Sequence, residues 1–590
     1  MPGKRRREGY AEPSGSGRIA SVLFRPFGRC VRVPHGTDLV SAARLAGLSI
    51  GGVCGGVGTC GKCRIYMVKE RKKREALACR TVARGRLVVE IPPSTLSSSA
   101  RVLTEGVYVR VEPRPDVALV RRNGTWSLVS REKNEAHGLR KKPRKLCGIA
   151  LDLGTTTLVA SVFDLKSGER LAVGASLNPQ TEMGEDIVTR IAFAMGEKGG
   201  ERRLRESLLS EINALSARVC GTVGISVREL FDICAVGNTF MHHCLLGLPL
   251  NTLAEAPYAP AAREPRGLAA KELGVATHPL ARAYVPPVVD GFLGSDAVAG
   301  ALAAGLDRSE GPTLYIDLGT NGEVLLAFNG TVMGTTAAAG PAFEGAQIEC
   351  GMRAADGAIV TVRLKGEGEE DLSGWGGRGQ NIAGVPVSRT GASSRQGRRI
   401  GGRAGTGALL IETAGRAPPV GIAGSGLVDA VAALLDAGAL DRRGALVDHP
   451  LVETGAWGKR VVLSRRPSIV YISQDDVRNL QLAKAAICAA AKVLLRRAGI
   501  PPSGLERILL AGAFGNYLDR RSALRIGLLP QVEEERILSL GNAASTGAGM
   551  MLLSTVERRR AEEIARRIRY VEMAGSVEFR EEFVDSLGFP

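Results

Sequence analysis

Two stretches of this chain repeat one grammar 165 residues apart: GIALDLGTTTLVASVFDL from Gly148 and LYIDLGTNGEVLLAFNG from Leu314. In each, an apolar strand delivers an aspartate, Asp152 or Asp317, into a turn of glycine with threonine or asparagine, and a second apolar strand leaves it. A strand–turn–strand unit recurring at that distance predicts a duplicated α/β domain with two facing lobes. The turns also carry a chemistry. Phosphate oxygens need backbone N–H groups and hydroxyls at close range, which glycine permits, and the aspartate can hold Mg²⁺ directly or through water. One such turn alone would be matched by an ordinary β-turn; two of them, each behind an apolar strand, carry more weight. The sequence has no GxxxxGK[ST], which argues against a P-loop enzyme.

The second constraint is a glycine-rich loop with the spacing Cys54-x5-Cys60-x2-Cys63-x15-Cys79. Four thiolates that converge under a chain able to wrap closely around them are what a [2Fe–2S] cluster requires, and Gly55, Gly56, Gly58 and Gly61 lie among them. The competing reading is zinc, which usually takes two C-x2-C knuckles where this loop has one. Cys30, Cys147, Cys220, Cys234, Cys244, Cys350 and Cys488 have no ligand spacing and read as small core residues.

Around these two features the chain divides into a polar tail (1–17), a small strand–helix–strand domain (18–95), a basic connector (96–146) and a two-lobed body (147–590). The lobes are expected at about 147–310 and 311–590, with a flexible insertion at about 362–410. In the small domain, ASVLFRP and RCVRVP read as a hairpin, DLVSAARLAGL as a helix capped by Thr37, and RIYMVK and RLVVEIP as further strands. The insertion is marked by 13 glycines and an arginine cluster between 361 and 410. The C-terminal region reads as a helix through VERRRAEEIARRIR, a strand-like YVEM and a tail, FVDSLGFP.

The formal net charge of +18 is uneven: residues 1–147 hold 31 Lys+Arg against 11 Asp+Glu, and the remainder 47 against 49. A basic front end prompts a nucleic-acid or membrane hypothesis. Trp126, Tyr66 and Tyr108 are too scattered for a stacking platform, which argues against a nucleic-acid partner. The uncharged stretch 324–343 is broken by glycines and a proline, which argues against a membrane span. No apolar segment follows the basic start, so no secretory signal is read and a cytoplasmic protein is expected.

The cysteine loop resembles ferredoxin-type β-grasp domains across roughly 18–95. Its first gap of five residues is that of the adrenodoxin-like branch, and its early fourth cysteine implies a shortened helix between 64 and 79. The twin turns look like the phosphate-1 and phosphate-2 hairpins of the acetate and sugar kinase/Hsc70/actin superfamily, and ILLAGAFG (508–515) is similar to its adenosine-side motif. The fold class expected is therefore α/β multidomain: an N-terminal β-grasp ferredoxin-like domain and a duplicated-lobe actin/Hsc70-like ATPase domain.

From about 18 to 590 the chain resembles the reductive activators of corrinoid-dependent methyltransferases. Further strings that match are LNPQTEMGEDIVTRI (177–191), AVGNTFMHHCLLG (235–247), AAAGPAFEGAQIECGMRAADGAI (337–359) and EFVDSLGFP. The connector is short for these activators, which commonly carry a small middle domain there.

The resemblance implies ATP-dependent, one-electron reduction of a corrinoid protein from inactive Co(II) to Co(I), an upstream low-potential electron donor, and a homodimer. It implies that Cys54, Cys60, Cys63 and Cys79 ligate the cluster, and that Asp152, Gly154, Thr155 and Thr156 face Asp317, Gly319, Thr320 and Asn321 across ATP with Mg²⁺. Gly512 and Gly515 would lie near adenosine. Glu323 is a candidate for positioning the attacking water, with a strand-edge carboxylate as the alternative. Asn238 is weighed between an interlobe contact and a helix cap, and Gly424 and Ser425 between ligand contact and a helix packed tightly on a strand. A redox-linked ATPase serving another metalloenzyme is the alternative function, followed by a nucleic-acid-binding regulator or a small-molecule kinase. The basic front end suits steering toward an acidic redox partner, with plain solubility as the alternative.

Overall fold

The computed structural model describes residues 19–25, 29–46, 48, 50, 63–69, 72–91, 109, 111–122, 125–139, 141–319, 321–345, 347–364, 409–455, 458–515 and 517–590. The chain forms two compact units, residues 1–98 and 99–590.

In the first unit, β1 (Ile19–Arg25) and β2 (Arg29–Pro34) make the expected hairpin. Alternation along β1 buries Ala20, Val22 and Phe24. Helix α1 (Leu39–Leu45) starts one residue later than expected. Asp38 caps it, accepting from Ser41 N at 2.9 Å, while the Thr37 hydroxyl donates to the Pro34 carbonyl at 2.7 Å. Strands β3 (Arg64–Lys69), β4 (Lys72–Leu77) and β5 (Arg86–Glu90) complete a sheet of order β2-β1-β5-β3-β4, in which β1 and β5 run parallel. Leu39, Ala42 and Ala43 of α1 pack on Phe24, Ile65 and Val89. This is the β-grasp arrangement expected, with one correction. Among the described residues, 64–79 holds the β3–β4 hairpin and a one-turn 3-10 segment, Ala78–Arg80, instead of a shortened α-helix.

The second unit opens with an antiparallel sheet of β6 (Val117–Arg122), β7 (Thr125–Ser130) and β8 (Glu135–Leu139), inside the stretch read as a connector. The first lobe follows as a meander of β9 (Cys147–Leu153), β10 (Thr157–Asp164) and β11 (Arg170–Leu177). After α2 (Ile187–Gly196) and α3 (Gly200–Thr222), β12 (Leu230–Gly237) returns parallel to β9. Then come α4 (Thr239–Leu246), β13 (Arg266–Ala269), α5 (Ala270–Leu273) and β14 (Arg282–Val285), the last parallel to β12. Helix α6 (Ser295–Ala304) leads to the second lobe.

There the pattern repeats. A meander of β15 (Thr313–Leu318), β16 (Gly322–Phe328) and β17 (Thr331–Ala337) precedes β18 (Ala358–Leu364), β19 (Leu409–Thr413) and β20 (Gly421–Ile422). Residues 365–408, most of the expected insertion, lie outside the described residues; its ends belong to β18 and β19, where Leu364 pairs with Leu409. Next are α7 (Gly424–Asp436), β21 (Glu453–Gly455), β22 (Gly458–Ser464), β23 (Val470–Ser473) and α8 (Gln474–Ala498). Strand β24 (Arg507–Ala511) returns parallel to β15, and after α9 (Gly512–Gly515) and α10 (Arg520–Arg525), β25 (Ile537–Gly541) lies parallel to β24. The chain closes with α11 (Ala543–Leu553), α12 (Thr555–Arg567), β26 (Ile568–Tyr570) and α13 (Val577–Asp585). The strand expected over YVEM therefore ends at Tyr570, and the expected tail begins inside α13.

The two six-stranded sheets, β11-β10-β9-β12-β14-β13 and β25-β24-β15-β16-β17-β26, share one core topology, as the duplicated turns required. Strand parity then places the aspartates. In β9, Ile149, Leu151 and Leu153 pack into the first lobe's own core, and Ala150 faces the core built around α6 and α11. In β15, Leu314, Ile316 and Leu318 pack outward in the same sense, and Tyr315 faces α6 and α11. Asp152 and Asp317 have the parity of Ala150 and Tyr315, so both belong to the faces turned toward the shared helices.

A buried ion network fastens the β6–β8 sheet to this body. Arg558 of α12 donates to Asp232 of β12 at 2.7 Å, to Glu132 at 3.3 Å and to the Met551 carbonyl at 2.9 Å, and lies over the Tyr284 ring. Asp116 accepts from the Ser130 hydroxyl and from Glu132 N. Burial pushes the Asp232 carboxyl up to about 7 against the pull of Arg558. Arg558→Ala would strand buried carboxylates, and a loss of about 3–5 kcal/mol is expected. The check is the denaturant midpoint of residues 99–590, which an inert surface arginine would leave unmoved.

Candidate functional site

The β3–β4 hairpin explains how cysteines far apart in sequence meet. Cys63 precedes β3 and Cys79 follows β4, and the Arg64↔Leu77 pairing closes the gap between them. Their sulfurs lie 3.2 Å apart, well beyond a disulfide bond of about 2.04 Å. Cys63 is buried and Cys79 half-buried. Cys54 and Cys60 lie outside the described residues. Cys147, Cys220, Cys234 and Cys244 are core residues whose thiols burial pushes up to about 11 or 12, which makes them poor nucleophiles. Cys30 is exposed on β2, so core packing does not account for it.

Between the two large sheets lies a cavity of about 250 Å³. The β9–β10 turn supplies Asp152, Gly154, Thr155 and Thr156 to its wall, and β15, β16 and their turn supply Asp317, Gly319, Asn321 and Glu323. Gly424, Ser425 and Gly512 also line it; Gly515 does not, and Thr320 lies outside the described residues. Gly512 has φ +86°, and a Cβ there would come 2.5 Å from Asp317 Oδ1, so backbone must pass directly over the carboxylate. The tight-packing reading of 421–429 is what the structure shows: α7 abuts Phe343 so closely that a Cβ on Gly424 would lie 1.8 Å from its carbonyl oxygen, while the same turn also lines the cavity. The Ser425 hydroxyl is spent on the Val360 carbonyl. Asn238 caps α4 through Met241 N and donates to the Thr155 hydroxyl at 3.0 Å, so its reach is to the hairpin of its own lobe.

The electrostatics of the cavity are dominated by buried and half-buried carboxyls. Asp152, Asp296 and Asp317 are half-buried on the cavity wall, and Glu323 is buried directly across the ladder from Asp317. Burial pushes the Asp152 carboxyl up to about 6 against a hydrogen bond from Asn542. Burial, then repulsion from the facing carboxylates, raises Asp296 and Glu323, and burial with repulsion from Asp152 raises Asp317. Asp317 also accepts from the Tyr315 hydroxyl at 3.1 Å. Among the described residues no three Asp, Glu, His or Cys side chains form a ready metal cage. Asp152 and Asp317, one from each hairpin, are carboxylates of the kind that Mg²⁺ on a phosphate takes one or two of, together with waters. The far wall is apolar and aromatic, with Phe343 stacked on Phe514 at 4.7 Å between ring centroids and with Met352 and Tyr517 nearby.

Asp296 and Asn542 line the cavity and were not among the residues expected from the sequence. Each opens a helix in a string of small residues, GSDAVAG and GNAASTGAG, and a polar residue at such a helix start was the available signal.

Two facing hairpins over a carboxylate-rich cleft, in a duplicated α/β body behind a β-grasp domain, define a nucleotide-binding ASKHA protein with a ferredoxin-type module. Residues 24–84 match the 2Fe-2S iron-sulfur cluster binding domain, 147–309 the RACo middle region, and 311–590 the C-terminal ASKHA domain of RACo. The chain therefore carries the RACo middle region and the RACo C-terminal ASKHA domain in tandem after a 2Fe-2S domain. It is 28% identical over 600 residues to the corrinoid activation enzyme RamQ of Eubacterium limosum, covering 91% of this chain and 94% of the relative. It is 26% identical over 453 residues to a [Co(II) methylated amine-specific corrinoid protein] reductase of Methanosarcina barkeri, covering 75% of this chain and 77% of that one. The solved structure of a reductive activator for corrinoid,iron-sulfur protein matches with a TM-score of 0.69 at 29% identity, over 97% of this chain and 98% of the other. The first module is thus a [2Fe–2S] domain, in place of a zinc site, and the body a nucleotide-binding one. Among the described residues, no helix is long and apolar enough to cross a membrane.

Proposed function

We propose that this protein is an ATP-dependent reductive activator that delivers one electron to a corrinoid protein, returning Co(II) to Co(I). One observation carries the reading: a carboxylate-rich cleft with paired phosphate-type hairpins stands in the same chain as a [2Fe–2S] module. Cys54, Cys60, Cys63 and Cys79 hold the cluster, which supplies one electron near about −400 mV. Asp152 and Asp317 hold Mg²⁺ on ATP, while the Gly154–Thr156 turn and Gly319, Thr320 and Asn321 bind the phosphates. Gly512 lets the backbone lie close to the nucleotide, and Glu323 positions the attacking water.

Reduction to Co(I) is uphill for such a cluster, and ATP helps only through a difference in affinity between nucleotide states of the activator and redox states of its partner. Closure of the two lobes on the nucleotide supplies that difference. An upstream low-potential donor refills the cluster, and the cytoplasm keeps the remaining thiols reduced.

The test is anaerobic mixing of the reduced protein with a corrinoid protein poised as Co(II). The Co(I) absorption band should grow only when Mg·ATP is present. Hydrolysis of ATP with no Co(I) from any corrinoid partner would point instead to a different metalloenzyme.

A further inference from the structure

The Asn542 side chain spans 390 positions of sequence to donate from Nδ2 to Asp152 Oδ2 at 2.9 Å. Its Oδ1 accepts from Ser545 N at 2.8 Å and so caps α11. One amide thus joins the first hairpin's carboxylate to the start of a helix from the other end of the chain. Helix α11 is fixed along its length: every residue except Thr546 is buried. Over about 16 Å it carries that end of the cleft to Leu553.

At Leu553 the helix meets the β6–β8 side of the body. Arg114 N donates to the Leu553 carbonyl at 2.8 Å, Thr555 N donates to the Arg114 carbonyl at 3.0 Å, and Arg114 bridges Ser554 in strand fashion. Arg558 ties Met551 of the same helix to Glu132 just beyond β7. The strip from Arg114 to Glu132 is among the first described segments after the covalent link from the unit of residues 1–98.

We propose that Asn542 is a positioning residue for Asp152 and that, by capping α11, it passes the occupancy of the cleft to the 114–132 strip. This rests on the reading that nucleotide with Mg²⁺ binds between the hairpins. A cation drawn to Asp152 competes with the Asn542 amide for the same carboxylate, so binding shifts the amide and with it the first turn of α11. The helix is packed on all sides and has no slack to absorb the shift, so the movement emerges at Leu553 and Arg114.

The two jobs of Asn542 separate in Asn542→Ser. Serine caps a helix about as well as asparagine but is too short to reach Asp152. Hydrogen exchange over 114–132 is measured on the full holoprotein, with and without saturating AMP-PNP and Mg²⁺, saturation being verified by calorimetry. In wild type, nucleotide should change exchange over the strip by about fivefold or more. In Asn542→Ser the change should vanish while the melting temperature holds; Asn542→Ala, which loses both bonds, should melt lower. A nucleotide response that persists in Asn542→Ser overturns the inference, as does a wild-type strip that ignores bound nucleotide. Complete loss of binding in Asn542→Ser also overturns it, by making the residue part of the ligand grip. Failure of the wild type to bind AMP-PNP at all would instead refute the nucleotide reading of the cleft.

Discussion

Cys63→Ser is expected to yield a protein that lacks the brown colour of the wild type and delivers no electrons to a corrinoid partner. Cys63 is buried at the head of β3, with its sulfur 3.2 Å from that of Cys79, so the hairpin has already brought two of the four proposed ligands together. A serine oxygen there is a harder, less easily ionised ligand than thiolate, and among the described residues of this unit the other cysteines are Cys79, itself a proposed ligand, and the exposed Cys30 on β2. The fold of the unit should survive, because its core is built by α1 and the sheet. Visible absorption, bound iron and far-ultraviolet circular dichroism measured together check this. A brown Cys63→Ser protein, or a colourless wild type with stoichiometric zinc, would refute the ligand assignment.

Asp317→Asn should reduce ATP turnover by about 10²–10³-fold, the range seen when one preorganised group that stabilises transition-state charge is removed. The isosteric change leaves Tyr315 a hydrogen-bond acceptor, so lost turnover reports charge more than shape. The same substitution should stabilise the nucleotide-free protein. Asp317 is raised above the ordinary carboxylate range, so its contribution to stability is present below that range and fades as pH rises through its folded value. Asparagine has no such loss. Its melting temperature should exceed that of the wild type at pH 8 and lie closer to it at pH 5. Unchanged turnover would remove the cleft mechanism; a lower melting temperature at pH 8 would show that Asp317 is held by attractive contacts instead.

Local signals made much of this protein legible. The DLGT turns announce themselves because an apolar strand ends each time in an aspartate and a glycine-threonine turn, and the cysteine spacing because few chemistries call for four thiols among glycines. What was hidden lacks a local signature. Strand β4 begins Lys-Lys-Arg-Glu and shows no apolar alternation; it is an edge strand held by its pairing with β3 and by Lys73–Glu90 and Arg64–Glu75. The strands β6 and β7 are short and flanked by charge runs, and β8 is almost wholly exposed, so the sheet gives little local signal. The cap of α1 was misplaced by one residue because Thr37 and Asp38 are both competent and only the Pro34 carbonyl decides between them. Asn542 and Asp296 become site residues through tertiary contact, and no window on the sequence contains their partners.

The matched parity of Asp152 and Asp317 has an evolutionary consequence. Two copies of one ancestral unit could drift in helix length, gain loops or take up a segment as long as 365–408, because none of these changes which way a strand residue points. One residue gained or lost in β9 or β15 would turn its aspartate away from its counterpart and send core side chains to the wrong face. The duplication therefore fixed a phase as well as a fold, and the count of residues along those two strands is held even where helices and loops change length.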